Sequence, residues 1–293
     1  MAWGSPDIDT WTAPSFGAVS MSVRRAAMSI HLAEKALIES RSYRVRALPL
    51  LQPLAWLGRG WRDFMRCPLP GLLHGLAVSL FGALLVAAGW RHFWLLIGAF
   101  TGFLLIAPLL VTGLYAISRD LERGLSPTLH TAMSCWALRD GRLVVFGILL
   151  AFAGTGWVLT SALLVTGLVP RHLDTLEDFL RYVVLAPEGL VFESWLALGA
   201  LLAAPVFAST VVAMPLLLDR PIGVMGAVFT SWKVILEHPA AMAFWAALLM
   251  GLTALGMATA MLGLIVIVPW LGHASWHVYR DVVDGSARAG RDG

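Results

Sequence analysis

The sequence predicts an all-α polytopic membrane bundle: about six transmembrane helices arranged as three repeated hairpins, each preceded by an amphipathic interfacial elbow helix. Three observations lead there. Of 293 residues, 58% are hydrophobic and 13% charged, with a mean hydropathy of +0.77; soluble domains carry about a quarter charged residues. Several stretches run for more than about 18 residues without Asp, Glu, Lys or Arg, enough to cross a hydrocarbon core of about 30 Å as a helix. The alternation of a transmembrane barrel, in strands of about ten residues, is missing. Finally, the segment Ala107–Gly124 returns as Val268–Gly285, so that Pro108, Arg119, Asp120 and Gly124 fall on Pro269, Arg280, Asp281 and Gly285 without a gap. Upstream, Trp61-Arg62 precedes Pro68 at the same interval as Trp232-Lys233 precedes Pro239.

Residues 1–48 read as a cytoplasmic N-terminal tail. Its first part, with Pro6 and Pro14, has no sustained period, whereas Met21–Tyr43 interleaves Met28, Leu32 and Leu37 with Arg24, Arg25, Glu34, Lys35 and Glu39. That pattern predicts an amphipathic helix lying on the membrane or on a partner. The membrane domain follows over 49–285. After Pro49 and Pro53, Leu54, Leu57, Trp61, Phe64 and Met65 form one side of an elbow helix, and Arg59, Arg62, Asp63 and Arg66 are expected to face water on the other. Pro68 ends this elbow. The first hairpin, about 69–118, crosses as Leu69–Trp90, turns at Arg91-His92 between Trp90 and Trp94, and returns as Phe93–Ser118.

The middle hairpin, about 143–218, has a shorter elbow around Leu129, Met133 and Trp136, with Arg139, Asp140 and Arg142 in water. Leu143–Val169 spans, an acidic far-side loop carries a short surface helix through Phe179 and Val183, and Trp195–Leu218 returns. The third elbow is Val224–Glu237. Beyond Pro239 the uncharged stretch to Tyr279 would extend about 60 Å as one helix at 1.5 Å per residue, so two short spans turning near Gly256 are expected, giving a hairpin over about 239–279. Residues 286–293 form a cytoplasmic C-terminal tail. With this threading Arg91, Arg171 and Arg181 are the outer cations among 21 Lys and Arg, and both termini are cytoplasmic. No short apolar core with a cleavage site opens the chain, so the first span is expected to direct insertion.

Function is less legible. A net charge of +3 and a pI near 9.2 come from residues bordering the spans, which argues for topology and against a nucleic-acid partner. Cys67 and Cys135 both border cytoplasmic helix ends, so no disulfide framework is expected. Away from their ends the six spans hold no Asp, Glu, Lys or Arg, which counts against a proton or ion relay. Gly71-x-x-x-Gly75 and Gly98-x-x-x-Gly102 invite close helix packing within the chain, with a homo-oligomer interface as the alternative. His273 and His277 share a helical face, and with His74 and His238 they stand near one membrane level. These four are the candidate metal or haem ligands, weighed against ordinary interfacial histidines. No thiol-rich metal spacing, nucleophile elbow or phosphate-binding glycine pattern is found, so no cofactor and no enzyme is expected.

Trp61-Arg62-Asp63 with Pro68, and Ala107-Pro108 through Gly113-Leu114-Tyr115, Ser118-Arg119, Glu122 and Gly124, resemble a bacterial family of integral membrane proteins, the domain of unknown function numbered 2189. The resemblance implies a multi-pass inner-membrane protein in contact with the bilayer. Some members are labelled cytochrome c oxidase, which implies a respiratory context, yet a haem-copper subunit needs histidines inside its spans. The expectation is a non-catalytic accessory or assembly subunit of another membrane complex. The alternatives are a transporter or channel for a neutral or apolar solute and, behind it, a haem- or metal-binding redox subunit.

Overall fold

The computed structural model describes residues 16–89, 111–134, 141–169, 171, 173, 175–186 and 190–284. Among these, the regular elements are helices apart from one two-residue antiparallel pair, Arg44–Val45 with Val283–Asp284. The helices are α1 (Phe16–Arg41), α2 (Gln52–Arg66), α3 (Pro68–Gly89), α4 (Thr112–Glu122), α5 (Leu129–Ser134), α6 (Gly141–Leu168), α7 (Leu176–Phe179, continued by a π-turn), α8 (Val191–Thr210), α9 (Ala213–Asp219), α10 (Val224–Glu237), α11 (Pro239–Ala258) and α12 (Leu264–Val282).

Among the described residues, four segments are long and apolar enough to cross a membrane: Pro68–Leu85, Gly141–Leu168, Val191–Asp219 and Pro239–Ala258. Pro68 and Pro239 open α3 and α11, where a missing amide proton leaves no bond unmade. The expected return of the first hairpin over 93–110, the turn at Arg91-His92, Pro108, Gly98 and Gly102, and Cys135, Trp136, Arg139 and Asp140 lie outside the described residues.

The third hairpin region holds two helices, as its length demands, but they turn at Thr259–Gly263 and not at Gly256. Gly256 lies within α11, where a Cβ would meet the Leu264 side chain at 2.7 Å, so its missing side chain brings α12 alongside. Ala260 and Met261 make the turn with positive φ of 52° and 71°. Thr259 Oγ1 accepts the Gly263 amide at 2.8 Å, and Ser79 Oγ of α3 donates to the Met261 carbonyl at 2.9 Å.

The core centres on α12, which packs against α2, α3, α4, α9 and α11. Trp56, Trp245, Trp276, Tyr279 and Leu216 are buried there, where close van der Waals packing, not release of apolar surface from water, supplies the attraction between helices in lipid. Small residues set the approach. A Cβ on Gly75 would overlap the Ile265 carbonyl, one on Gly71 would stand 3.0 Å from Pro269, and one on Gly60 would come 2.5 Å from the Ala274 nitrogen. The glycine pair at 71 and 75 therefore joins α3 to α12 inside the chain. Around this core, α5 packs on α4, and α10 on α8 and α9. The end of α1 packs on α10, burying Ala36, Ser40 and Tyr43, while Glu39 Oε2 accepts the Gly223 amide at 3.1 Å at the positive end of that helix.

Gly75→Ala should destabilise the protein by about 1–3 kcal/mol, the usual cost of overpacking. Gly58→Ala, at a position with nothing within 4 Å, should change stability little. Thermal unfolding of both variants in detergent checks the pair.

Candidate functional site

The polar residues of the fold meet where α2 and α4 cross α12. On α2, Gln52, Trp56, Arg59 and Asp63 are spaced four, three and four apart and so share one face. The face meets α12 because Gly60 lies in the same contact. Asp281 is the focus of its outer half: Oδ2 accepts from Gln52 Nε2 at 2.7 Å and Trp56 Nε1 at 2.8 Å, Oδ1 accepts from Arg59 Nη1 at 3.0 Å, and Arg59 Nη2 also donates to Oδ2. Burial pushes the Asp281 carboxyl up, but these donors and the Arg59 charge more than offset that, leaving it below the ordinary aspartate range. Arg280 and Asp281 therefore do not simply anchor a helix end in water. Arg280 reaches α4, donating to Glu122 Oε1 at 2.7 Å, and Trp276 Nε1 donates to Glu122 Oε2 at 3.1 Å. In the other copy of the repeat, Arg119 and Asp120 pair with each other, at 3.3 Å.

A second cluster is buried one turn away. Asp63, expected in water, is 6% exposed and faces His277, whose Nε2 stands 2.8 Å from Asp63 Oδ2. Burial raises the Asp63 pKa, yet hydrogen bonds from His277 and Ser118 and the His277 charge carry it below its usual value. An ionised carboxylate only accepts, so His277 Nε2 and the Ser118 hydroxyl are the donors. Ser118 Oγ also stands 2.8 Å from His273 Nδ1. The result is one chain of polar groups, His273 to Ser118 to Asp63 and back to His277, joining α12, α4 and α2. His273 is fully buried, and its Nε2 has no hydrogen-bond partner among the described residues.

His74, on α3, holds the Pro70 carbonyl through Nδ1 at 2.8 Å and approaches Gly113 of α4. His238 is elsewhere, at the junction of α10 and α11. Among the described residues no three His, Cys, Asp or Glu side chains are placed to hold a metal ion; His273 and His277 are directed at Ser118 and Asp63. Cys67 is a free thiol.

The repeat tryptophans stand at helix crossings. Trp61 packs edge-on against Trp270 of α12 at 5.4 Å, and Trp232 of α10 donates to Ser209 of α8 at 2.9 Å. Pro269 is buried within α12 against Gly71. A further tie joins α4 and α12 to α9, where Tyr279 Oη donates to Asp219 Oδ2 at 2.7 Å and Arg123 pairs with Asp219 at 3.2 Å. Arg142 of α6 donates to the Leu217, Arg220 and Ile222 carbonyls at the end of α9.

Uncharged spanning helices tied together by buried polar groups at one end define a helical integral membrane protein. Residues 95–219 match a family model described as "Predicted integral membrane protein (DUF2189)". That stretch contains the Ala107–Gly124 segment quoted above, whereas Trp61 and Pro68 precede it. No curated protein and no solved structure matches the chain.

Asp219 and Tyr279 carry ties that no motif announced, and Ser118 and Glu122 stood in the family-like stretch with no role read from them. The stripe of Gln52, Trp56, Arg59 and Asp63 was visible as a spacing, but nothing in one helix tells a polar face in water from one against another helix.

The sign of the acid response follows from Asp281. A lowered folded pKa contributes stability that is complete above the unfolded value of about 4 and is lost as pH falls through the folded one. Asp281→Asn should lower the melting temperature at pH 7 and flatten its decline between about pH 5 and 3. Melting curves of both proteins across that range check it.

Proposed function

We propose that the chain is a six-span protein of three hairpins, about 69–118, 143–218 and 239–279, each entered through an elbow, with both termini on the cytoplasmic side of the bacterial inner membrane. On this reading it serves as a non-catalytic accessory or assembly subunit of another membrane complex, with a respiratory complex as the first candidate. The pattern of elbow contacts supports the three-unit reading. The first elbow, α2, packs on the last helix of the third unit; the second, α5, on the end of the first; the third, α10, on the end of the second.

The observation that carries the accessory reading is where the polar and apolar groups are spent. The buried side chains of Asp63, Ser79, Ser118, Ser161, Ser231 and His273 tie one element to another, while the spans Gly141–Leu168 and Pro239–Ala258 are only 28% and 22% buried. Phe152, Leu159 and Leu163 on α6 and Met250 and Leu255 on α11 are broadly exposed. They form apolar outer walls that suit lipid or a second membrane chain.

One feature favours transport of a neutral or apolar solute as the second reading. The span Val191–Asp219 is broken at Val211–Val212, where the Val212 amide turns to the Ser231 hydroxyl at 3.2 Å, and broken helices recur at transporter binding sites.

Two measurements separate these readings. Quantitative mass spectrometry of the protein purified in mild detergent from its native membranes should find a stoichiometric partner chain; recovery alone or as a homo-oligomer, with solute flux in proteoliposomes, supports transport. A reporter inserted at Thr259–Gly263 should read as periplasmic, and a cytoplasmic reading there contradicts the six-span topology.

A further inference from the structure

The first elbow has three faces, not two. Trp56, Leu57, Gly60, Asp63 and Phe64 are buried, largely against α12. A second sector, Leu51, Leu54, Trp61 and Met65, follows helical spacing but is exposed. The third sector is basic: Arg62 and Arg66 are exposed, and neither has an ion-pair partner among the described residues.

We propose that this exposed surface of α2 binds the anionic phospholipid headgroups of the bilayer. Continuity fixes the occupant. The apolar sector runs through Leu69 into the exposed face of α3, where Leu72, Leu73, Leu76 and Leu80 belong to a segment able to cross the membrane. The medium that covers α3 also covers Leu54, Trp61 and Met65, so the basic sector beside them stands at the phosphate level. Charge decides which lipid. Arg62 and Arg66 are one helical turn apart, and two like charges at that spacing repel unless a counter-charge lies between them. The described residues do not supply one, because the neighbouring Asp63 carboxylate is turned inward to His277.

The third elbow gives an internal contrast. Met225, Trp232 and Leu236 form a similar exposed stripe on α10, but its single cation, Lys233, is engaged with the Tyr43 carbonyl at 3.2 Å and faces Glu237 at 4.0 Å. Selectivity for anionic lipid therefore belongs to the first elbow, while both elbows share the apolar contact.

The proposal rests on α2 being an interfacial elbow and is independent of the accessory role. Its test is native mass spectrometry of the full-length protein in mild detergent with equal amounts of phosphatidylglycerol and phosphatidylethanolamine of matched acyl chains. The wild type should retain phosphatidylglycerol preferentially, on the order of tenfold given two interfacial arginines. The Arg62→Gln/Arg66→Gln protein should fall to near parity, and Arg62→Lys/Arg66→Lys should keep the preference, which separates a charge effect from misfolding. Equal retention of the two lipids by the wild type overturns the proposal. So does an unchanged preference in the glutamine protein, including the case where that protein instead loses a co-purifying chain.

Discussion

The Asp281 carboxylate, received by three side chains of α2, is the contact on which the rest of the arrangement depends. It joins residues more than 200 positions apart, for Gln52 and Asp281 are separated by 229. Taking a carboxylate and a guanidinium partly out of water is costly unless their hydrogen-bonding capacity is met. Here both carboxylate oxygens are occupied, and Arg59 Nε is left without a partner among the described residues. Indole and amide donors, which cost less to bury than a second cation, complete the site.

Once α2 is held, the buried cluster beneath it follows. The crossing at Gly60 brings Asp63 to His277, and α4 adds Ser118, which also meets His273 of α12. Truncating one member of a buried pair such as Asp63 and His277 characteristically costs about 3–5 kcal/mol, because the remaining charge is left without a partner. The ion pairs farther out, Arg280 with Glu122 and Arg123 with Asp219, are more exposed and contribute less individually. Their effect is geometric: together with Tyr279 and Asp219 they collect the ends of α4, α9 and α12 at one level.

The helical membrane class was legible because uncharged length is a local property of the chain. The boundaries at Pro68 and Pro239 were legible for the same reason, since proline acts on its own backbone, and the glycine pair at 71 and 75 was correctly assigned to packing within the chain. The candidate site was legible only in pieces. His273 and His277 were singled out for sharing a face, and Asp281 and Arg280 for recurring, yet their partners Ser118, Asp63, Gln52, Trp56 and Glu122 are supplied by other helices. Asp63 shows the difficulty best. A carboxylate between two arginines on an amphipathic helix has the pattern of a solvated residue, and only a histidine from the far end of the sequence makes its burial favourable. The length beyond Pro239 led to a turn expected near Gly256, whereas the chain turns at Ala260 and Met261, with the glycine spent on helix contact.

If closure of the first elbow and span onto α12 organises the fold, covalent continuity between the units should be dispensable. The most direct test is to divide the gene in the exposed turn after Gly124, between Leu125 and Ser126, and to co-express the two parts with a purification tag on one. Co-purification of the two fragments from membranes as an equimolar complex is the predicted result. Fragments that each insert stably into the membrane but never co-purify would contradict the account.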